Sequence, residues 1–298
     1  MNDLVTKDET HPDEADIESS RAPLMDHLIE LRSRLIWMVV AFAIAFVACF
    51  SQAERITVFL LHPFVVANEM FAVTGANNGH AHGPFDMILV LLGFKSVVAS
   101  APAQVISTGA LEVLFTKMKI AGFGAIIVSF PVIAWHIYRF VAPGLYKRER
   151  MAFLPFLVAA PVLFVIGALL VYFIMLPMVL WFSLDQQIVG TGQVSVQLLP
   201  KISEYLSLVT TLMLAFGLCF QLPIVLTLLG LTGIVSAKML SQSRRYAILA
   251  IVVVAAVVTP PDPISQLMLA VPIAILYEIS ILCVRVIEWR RKEPSTVS

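Results

Sequence analysis

The chain has 298 residues, 59% of them apolar and only 13% charged, with a mean hydropathy of +0.90 and a net charge of zero. Soluble domains carry about 25% charged residues, so this composition redirects the length from two soluble domains to several membrane spans. Zero net charge removes a broad attraction to nucleic acid, and three cysteines scattered through apolar runs without a CxxC pair suggest neither a disulfide framework nor a zinc site.

Residues 1–22 are polar and acidic and lack the basic start and apolar core of a signal peptide, so they read as a disordered tail. No cleaved leader is expected, and the first span doubles as the insertion signal. From Pro23, a residue suited to a helix start, Leu24, Leu28, Leu31 and Leu35 recur on one helical face while His27, Glu30 and Arg34 share another. An amphipathic helix therefore leads into the first uncharged run, 35–53. Glu30 and Arg34 also stand four residues apart, where a simple intrahelical pair is the plainer reading.

Uncharged runs follow at 120–138, 151–184 and 205–237, each bounded by charge. The run 246–277 carries one charge, Asp262, within TPPDP; three prolines in four residues break a helix, so it divides into two spans, the first of only 13 residues, 246–258. Short spans thin the bilayer or recruit partners. The stretch 87–111 is apolar apart from Lys95 and competes as a further span. Basic residues arbitrate. Without it, 15 of the 20 lysines and arginines fall on one side, in segments around 7–34, 139–150, 238–245 and 285–292. Including it moves two of those clusters to the opposite side. The stretch is therefore expected as part of a long external loop, 54–119, and the fold as an all-α membrane protein of six spans with both ends cytoplasmic.

Signatures of enzymes are absent: no HExxH, GxSxG, phosphate loop or GxGxxG occurs. His80 and His82 sit in a Gly/Asn-rich loop and read as solvated, His62 before Pro63 reads as a turn residue, and His136 is the one membrane-embedded histidine. Glu149 is the only carboxylate among the four basic residues of 139–150, near a span start where the helix dipole favours it. Polar residues within spans are costly and usually functional. Gln221, two residues before Pro223, either bonds carbonyls freed by that proline or serves a ligand. Glu278, near the end of the last span, is expected to snorkel toward Arg285.

Three segments together carry a resemblance. HLIELRSRL at 27–35, SFPVIAWHIYRFVAPGLYKRER at 129–150 and TPPDPISQ at 259–266 resemble, in order, the segments before the first span, through the second span and its following loop, and at the last hairpin of the TatC family. That family supplies the polytopic subunit of the twin-arginine, Sec-independent protein translocase. The resemblance implies a glove-like bundle over 23–289, followed by a cytoplasmic tail at 290–298, in the inner membrane of a bacterium. It implies a receptor without cofactor or metal that binds the paired arginines of signal peptides on precursor proteins and, with TatA- and TatB-type single-span partners and further copies of itself, exports folded proteins on the proton-motive force. Glu30 and Glu149 take the place of the family's arginine-binding carboxylates, with Arg32, Phe140, Pro143, Leu145 and Tyr146 in the same two segments. Gln221 departs from the pattern, since many relatives carry glutamate there, and the first external loop looks lengthened over about 75–106. A secondary transporter of small solutes is the competing reading, but it needs internal repeats that this sequence lacks. Thr259, Asp262, Ser265 and Gln266, at the outer end of a short span, present polar groups either to a partner's membrane helix or to the hairpin's own backbone.

The charge asymmetry yields a topological test. In a background without native cysteines, single cysteines at positions 20, 147, 242 and 295 are expected to be shielded from an impermeant thiol reagent in intact cells, and those at 78 and 193 to react. Labelling at 147 without labelling at 193 sinks the six-span arrangement.

Overall fold

The structure, a computed structural model, describes residues 12–76, 84–94, 109–141, 154–185, 201–259 and 263–292. The described elements are helices: α1 (Pro12–Ser51), α2 (Ala53–Ala76), α3 (Pro84–Leu91), α4 (Ala110–Val141), α5 (Leu154–Leu170), a π-helical turn (Val171–Met175), α6 (Leu176–Asp185), α7 (Ile202–Cys219), α8 (Leu222–Leu231), α9 (Ala237–Gln242), α10 (Arg244–Val258) and α11 (Pro263–Lys292). Among the described residues, five stretches are long and apolar enough to cross a bilayer: Ile29–Ser51, Leu111–Arg139, Pro155–Leu184, Ile202–Leu231 and Ser265–Trp289. Helix α10 has 15 residues, ~22 Å of rise against the ~30 Å of a hydrocarbon core.

Two sequence expectations change at the N-terminal end. Residues 12–22, read as disordered tail, are helical, and Pro23 lies inside α1 instead of starting it. Once the long apolar segment has nucleated a helix, each added residue gains a backbone hydrogen bond for one pair of dihedrals fixed, so propagation outlasts the apolar run. The stretch 87–111 holds no continuous helix: α3 ends at Leu91 and Gly93, at φ +80°, turns the chain.

Helix α1 packs mainly along α4, α5 against α7, α8 against α11, and α10 against α11. Cys49 lies beside Gly124, while Glu54 and Val58 share a crevice with Lys117 and Val113, so α1 and the start of α2 run antiparallel to α4. Large apolar side chains on the outside, such as Val47, Val128, Val158 and Val271, form the surface expected toward lipid. With tails as apolar as the side chains, helices associate through close packing, and small residues set the approach. A Cβ on Gly217 would stand 2.7 Å from the Phe164 ring, and one on Gly167 2.9 Å from the Phe216 carbonyl oxygen. The two glycines thus seat α5 and α7 into each other, with Phe164 also stacked on Phe130 of α4 at 4.3 Å.

Helix α2 roofs one end of the bundle. Leu60, Phe64, Ala67 and Met70 are buried against the outer parts of α6 and α7, and α3 adds the buried Met87. The turn expected at His62 and Pro63 is absent because α2 runs through the proline. A proline lacks the N–H that bonds four residues back, which frees the Phe59 carbonyl. Tyr172, in the π-helical turn, donates its hydroxyl to that oxygen at 2.9 Å, and its ring stacks on Phe59 at 4.5 Å. Tyr205 donates to the next carbonyl, Leu60, at 3.1 Å. The roof is therefore pinned by two tyrosines from two different spans.

Gly217→Ala is expected to lower thermal stability of the detergent-solubilised protein, since overpacking a tight interface costs about 1–3 kcal/mol. Gly109→Ala, where a Cβ meets only Glu112 Cβ at 4.0 Å, should leave the melting temperature unchanged. Equal melting of both variants refutes the close-approach account.

Candidate functional site

At the end of the bundle opposite the α2 roof, Glu30 stands in the second residue of the first span. Its Oε1 accepts from Arg34 Nε at 3.1 Å and from Arg34 Nη2 through a shorter contact. The guanidinium is tucked in, with 13% of its side chain exposed, while the carboxylate remains 39% exposed. The intrahelical pair, the plainer of the two sequence readings, is thus formed. Arg32 is exposed and, two residues along the helix, points from a different face. Of the second segment, Phe140 belongs to the last turn of α4, and Pro143, Leu145, Tyr146 and Glu149 lie outside the described residues. The α1–α4 register brings their origin to the right level. Arg34 is fifteen residues below Cys49, and Arg139 fifteen below Gly124, so both helices reach this height after ~22 Å. On α4, three residues before Arg139, His136 turns a buried Nδ1 inward, without a hydrogen-bond partner among the described residues.

The intramembrane polar residues find partners on other spans. At the junction of α7 and α8 the ladder tightens: the Gln221 N–H donates to Leu218 instead of Gly217, and Pro223 follows. The Gln221 amide answers this locally, its Nε2 lying 3.4 Å from the Gly217 oxygen, and reaches across to the Ala160 carbonyl of α5 at 3.0 Å. It also lines a cavity of about 250 Å³ with Phe130, Tyr138, Phe156 and Leu157, so one side chain ties the fourth membrane stretch to the third and faces a lipid-depth recess.

Glu278 does not snorkel to Arg285. It accepts from Arg244 Nη2 at 2.8 Å. Arg285 lies seven residues away, about two turns and ~10 Å along the same helix, whereas Arg244 opens the neighbouring α10 at the right height. Both side chains are about half exposed, so the pair fastens the α10–α11 hairpin modestly. At the hairpin's other end, Thr259 is buried and its hydroxyl donates to Ala255 at 2.8 Å, and Gln266 Nε2 donates to Val252 at 3.3 Å. Ser265 is buried and Asp262 lies outside the described residues. Of the polar groups weighed for partner docking, Thr259 and Gln266 therefore bond backbone carbonyls of the hairpin itself. What the hairpin offers outward is apolar: Val253, Val257 and Leu267 are exposed, and a groove of about 390 Å³ runs between α8, α10 and α11.

Sequence reasoning missed four further ties. Tyr172 and Tyr205 pin α2, and Tyr277 donates to Leu240 at 2.8 Å. Glu288 accepts from the Ala237 N–H at 2.8 Å, capping α9 beside the Ser236 N-cap. Tyrosines deep within apolar runs were the available signal, since a buried phenol seeks an acceptor.

Several helices long and apolar enough to cross a membrane, packed into one bundle with apolar grooves on its surface, define a polytopic membrane protein. Comparison with known proteins resolves the kind. The family model described as Sec-independent protein translocase protein (TatC) matches residues 26–272. The Sec-independent protein translocase protein TatC of Magnetococcus marinus is 39% identical over 278 residues, covering 93% of this chain and 89% of the relative. Its counterpart in Rickettsia prowazekii is 34% identical, covering 89% and 94%. A crystal structure of the twin-arginine translocase receptor TatC superposes with a TM-score of 0.67 at 31% identity, covering 87% of this chain and 98% of that one. The chain belongs to the TatC family, and it is a multi-pass membrane component of a bacterial protein translocase.

Gln221→Leu keeps the volume and removes the donor, leaving the Ala160 carbonyl without this partner. A loss of about 0.5–2 kcal/mol is expected, read as a lower melting temperature in detergent. No change in melting overturns the cross-span tie.

Proposed function

We propose that this chain is the receptor subunit of a twin-arginine translocase, binding signal peptides at Glu30 and Glu149 on the cytoplasmic face. The observation that carries the reading is the Glu30 carboxylate: exposed, set at the membrane threshold, and already accepting a guanidinium through two nitrogens. Arginine's planar fork suits such a carboxylate in a way that a lysine ammonium does not, which accounts for a signal written in arginines. A pair of arginines needs a second carboxylate. The segment carrying Glu149 departs from the end of α4 at the height of Glu30, with Phe140, Pro143, Leu145 and Tyr146 between them in sequence.

In this reading α10 is the sixth span and both termini are cytoplasmic, in keeping with the 15 basic residues gathered on that side. The unit 23–289 forms the membrane domain of the cytoplasmic membrane, with 54–119 external and 290–298 a tail. Single-span partners of the TatA and TatB type dock on the apolar outer face of α10 and α11, and further copies of the chain complete the receptor. The protein binds and positions cargo rather than catalysing covalent chemistry, and the proton-motive force drives export of the folded precursor.

The test is cross-linking of a twin-arginine peptide carrying a photoreactive group. Glu30→Ala and Glu149→Ala are each expected to weaken the yield, at ~1.5–3 kcal/mol for a hydrogen bond to a charged group. The double variant Glu30→Lys, Glu149→Lys should abolish it while membrane insertion survives, because neither position lies within one of the uncharged runs. Normal cross-linking by the double variant refutes the assignment.

A further inference from the structure

At the roofed end of the bundle a crevice of about 250 Å³ opens between α2, α4 and α7, lined by Glu54, Thr57, Val58, Val113, Thr116, Lys117 and Ile202. We propose that it is a binding site for one phospholipid, and specifically for a phosphoethanolamine headgroup. Its height fits. The first span ends at Ser51, the second begins at Leu111 and the fourth membrane stretch at Ile202, so three apolar stretches reach their limit at its walls.

Its chemistry is that of a zwitterion receptor. Glu54 and Lys117 stand on opposite helices of one crevice and, among the described residues, neither makes an ion pair or side-chain hydrogen bond. Two opposite charges lining one crevice, yet unpaired, leave room for a ligand that satisfies both. The hydroxyls select further. Thr57 donates to Ala53 at 2.7 Å and Thr116 to Glu112 at 2.7 Å, so their protons are engaged and their oxygens can only accept. With the Glu54 carboxylate they make an acceptor set for an N–H-bearing cation, while Lys117 takes a phosphate. An ethanolamine ammonium has three such hydrogens; a choline has none, and a glycerol headgroup has no cation for Glu54. Val58, Val113 and Ile202 supply the apolar edge along which the glycerol and acyl chains descend.

The experiment is native mass spectrometry of the purified full chain, released from detergent after incubation with phosphatidylethanolamine, phosphatidylcholine or phosphatidylglycerol at equal ratio. The wild type is expected to retain phosphatidylethanolamine in preference to both others. Glu54→Gln should cut the ethanolamine-over-choline preference about fivefold, and Lys117→Gln should lower retention of all three lipids about fivefold, the scale of one partly exposed charged contact. Circular dichroism confirms that both variants keep the wild-type helix content. A preference unchanged in both variants, or a wild type that favours phosphatidylglycerol, overturns the proposal. Soluble glycerophosphoethanolamine is the remaining arm: full displacement of the lipid at millimolar concentration would assign the crevice to a water-soluble zwitterion and overturn the lipid assignment, whereas failure to compete supports it.

Discussion

In a hydrocarbon medium no water is available to take up a backbone N–H or carbonyl that a helix fails to pair, and each such group costs several kcal/mol. This chain breaks its own ladders repeatedly, and its tertiary structure follows from how the breaks are met. Pro63 frees Phe59, and Tyr172 answers. The α7–α8 junction loosens Gly217, and Gln221 answers there and at Ala160. The start of α9 leaves the Ala237 N–H, which Glu288 of α11 answers, and Tyr277 of the same helix adds a second bond to the Leu240 carbonyl at its end. Because the donors and acceptors come from other elements, each repair is also a tie between elements. Apolar packing gives the helices a shared surface, and these few polar ties fix which helix lies where.

The ties are unevenly placed, and the two ends of the bundle differ accordingly. At the roofed end, α2 is held to two spans by tyrosines and buries Leu60, Phe64 and Ala67. At the other end, the polar groups of α1 and of the α10–α11 hairpin remain partly exposed, as Glu30, Arg244 and Glu278 show. The proposed peptide-binding role suits that arrangement: a carboxylate must stay hydrated enough to exchange partners, yet lie on a helix stiff enough to hold its position. Helix α1 supplies the stiffness, running unbroken from Pro12 to Ser51 against α4.

The gross fold was legible because hydrocarbon thickness acts on one helix at a time. Uncharged runs and their flanking charges are local properties, so the spans, the hairpin at TPPDP and the exclusion of 87–111 as a single span follow from the sequence directly. The partners of polar residues inside those spans are not local. Glu278 was expected at Arg285, on its own helix, and bonds to Arg244 on another. Gln266 and Thr259, weighed for a partner or for the hairpin's own backbone, bond carbonyls of α10, Val252 and Ala255. Pro63 reads as a turn when the phenol that rescues Phe59 is more than a hundred residues away. Of the candidate peptide site, Glu30 and its threshold position were legible by motif, while its occupation by Arg34 depended on a choice between two local readings.

The π-helical turn at Val171–Met175 has a consequence for how one span serves two neighbourhoods. A turn that closes over five residues instead of four inserts one extra position, and the faces before and after it fall about 100° out of phase. Below it, Phe164 and Gly167 address α4 and α7; above it, Leu176, Leu180 and Leu184 sit in the core shared with α2 and α3. The turn works as a phase shifter, letting a single continuous rod present one stripe to the membrane bundle and a differently aimed stripe to its roof. Length in this span is therefore quantised: a change of one residue on either side would rotate an entire stripe off its partners, though every side chain in it stayed the same.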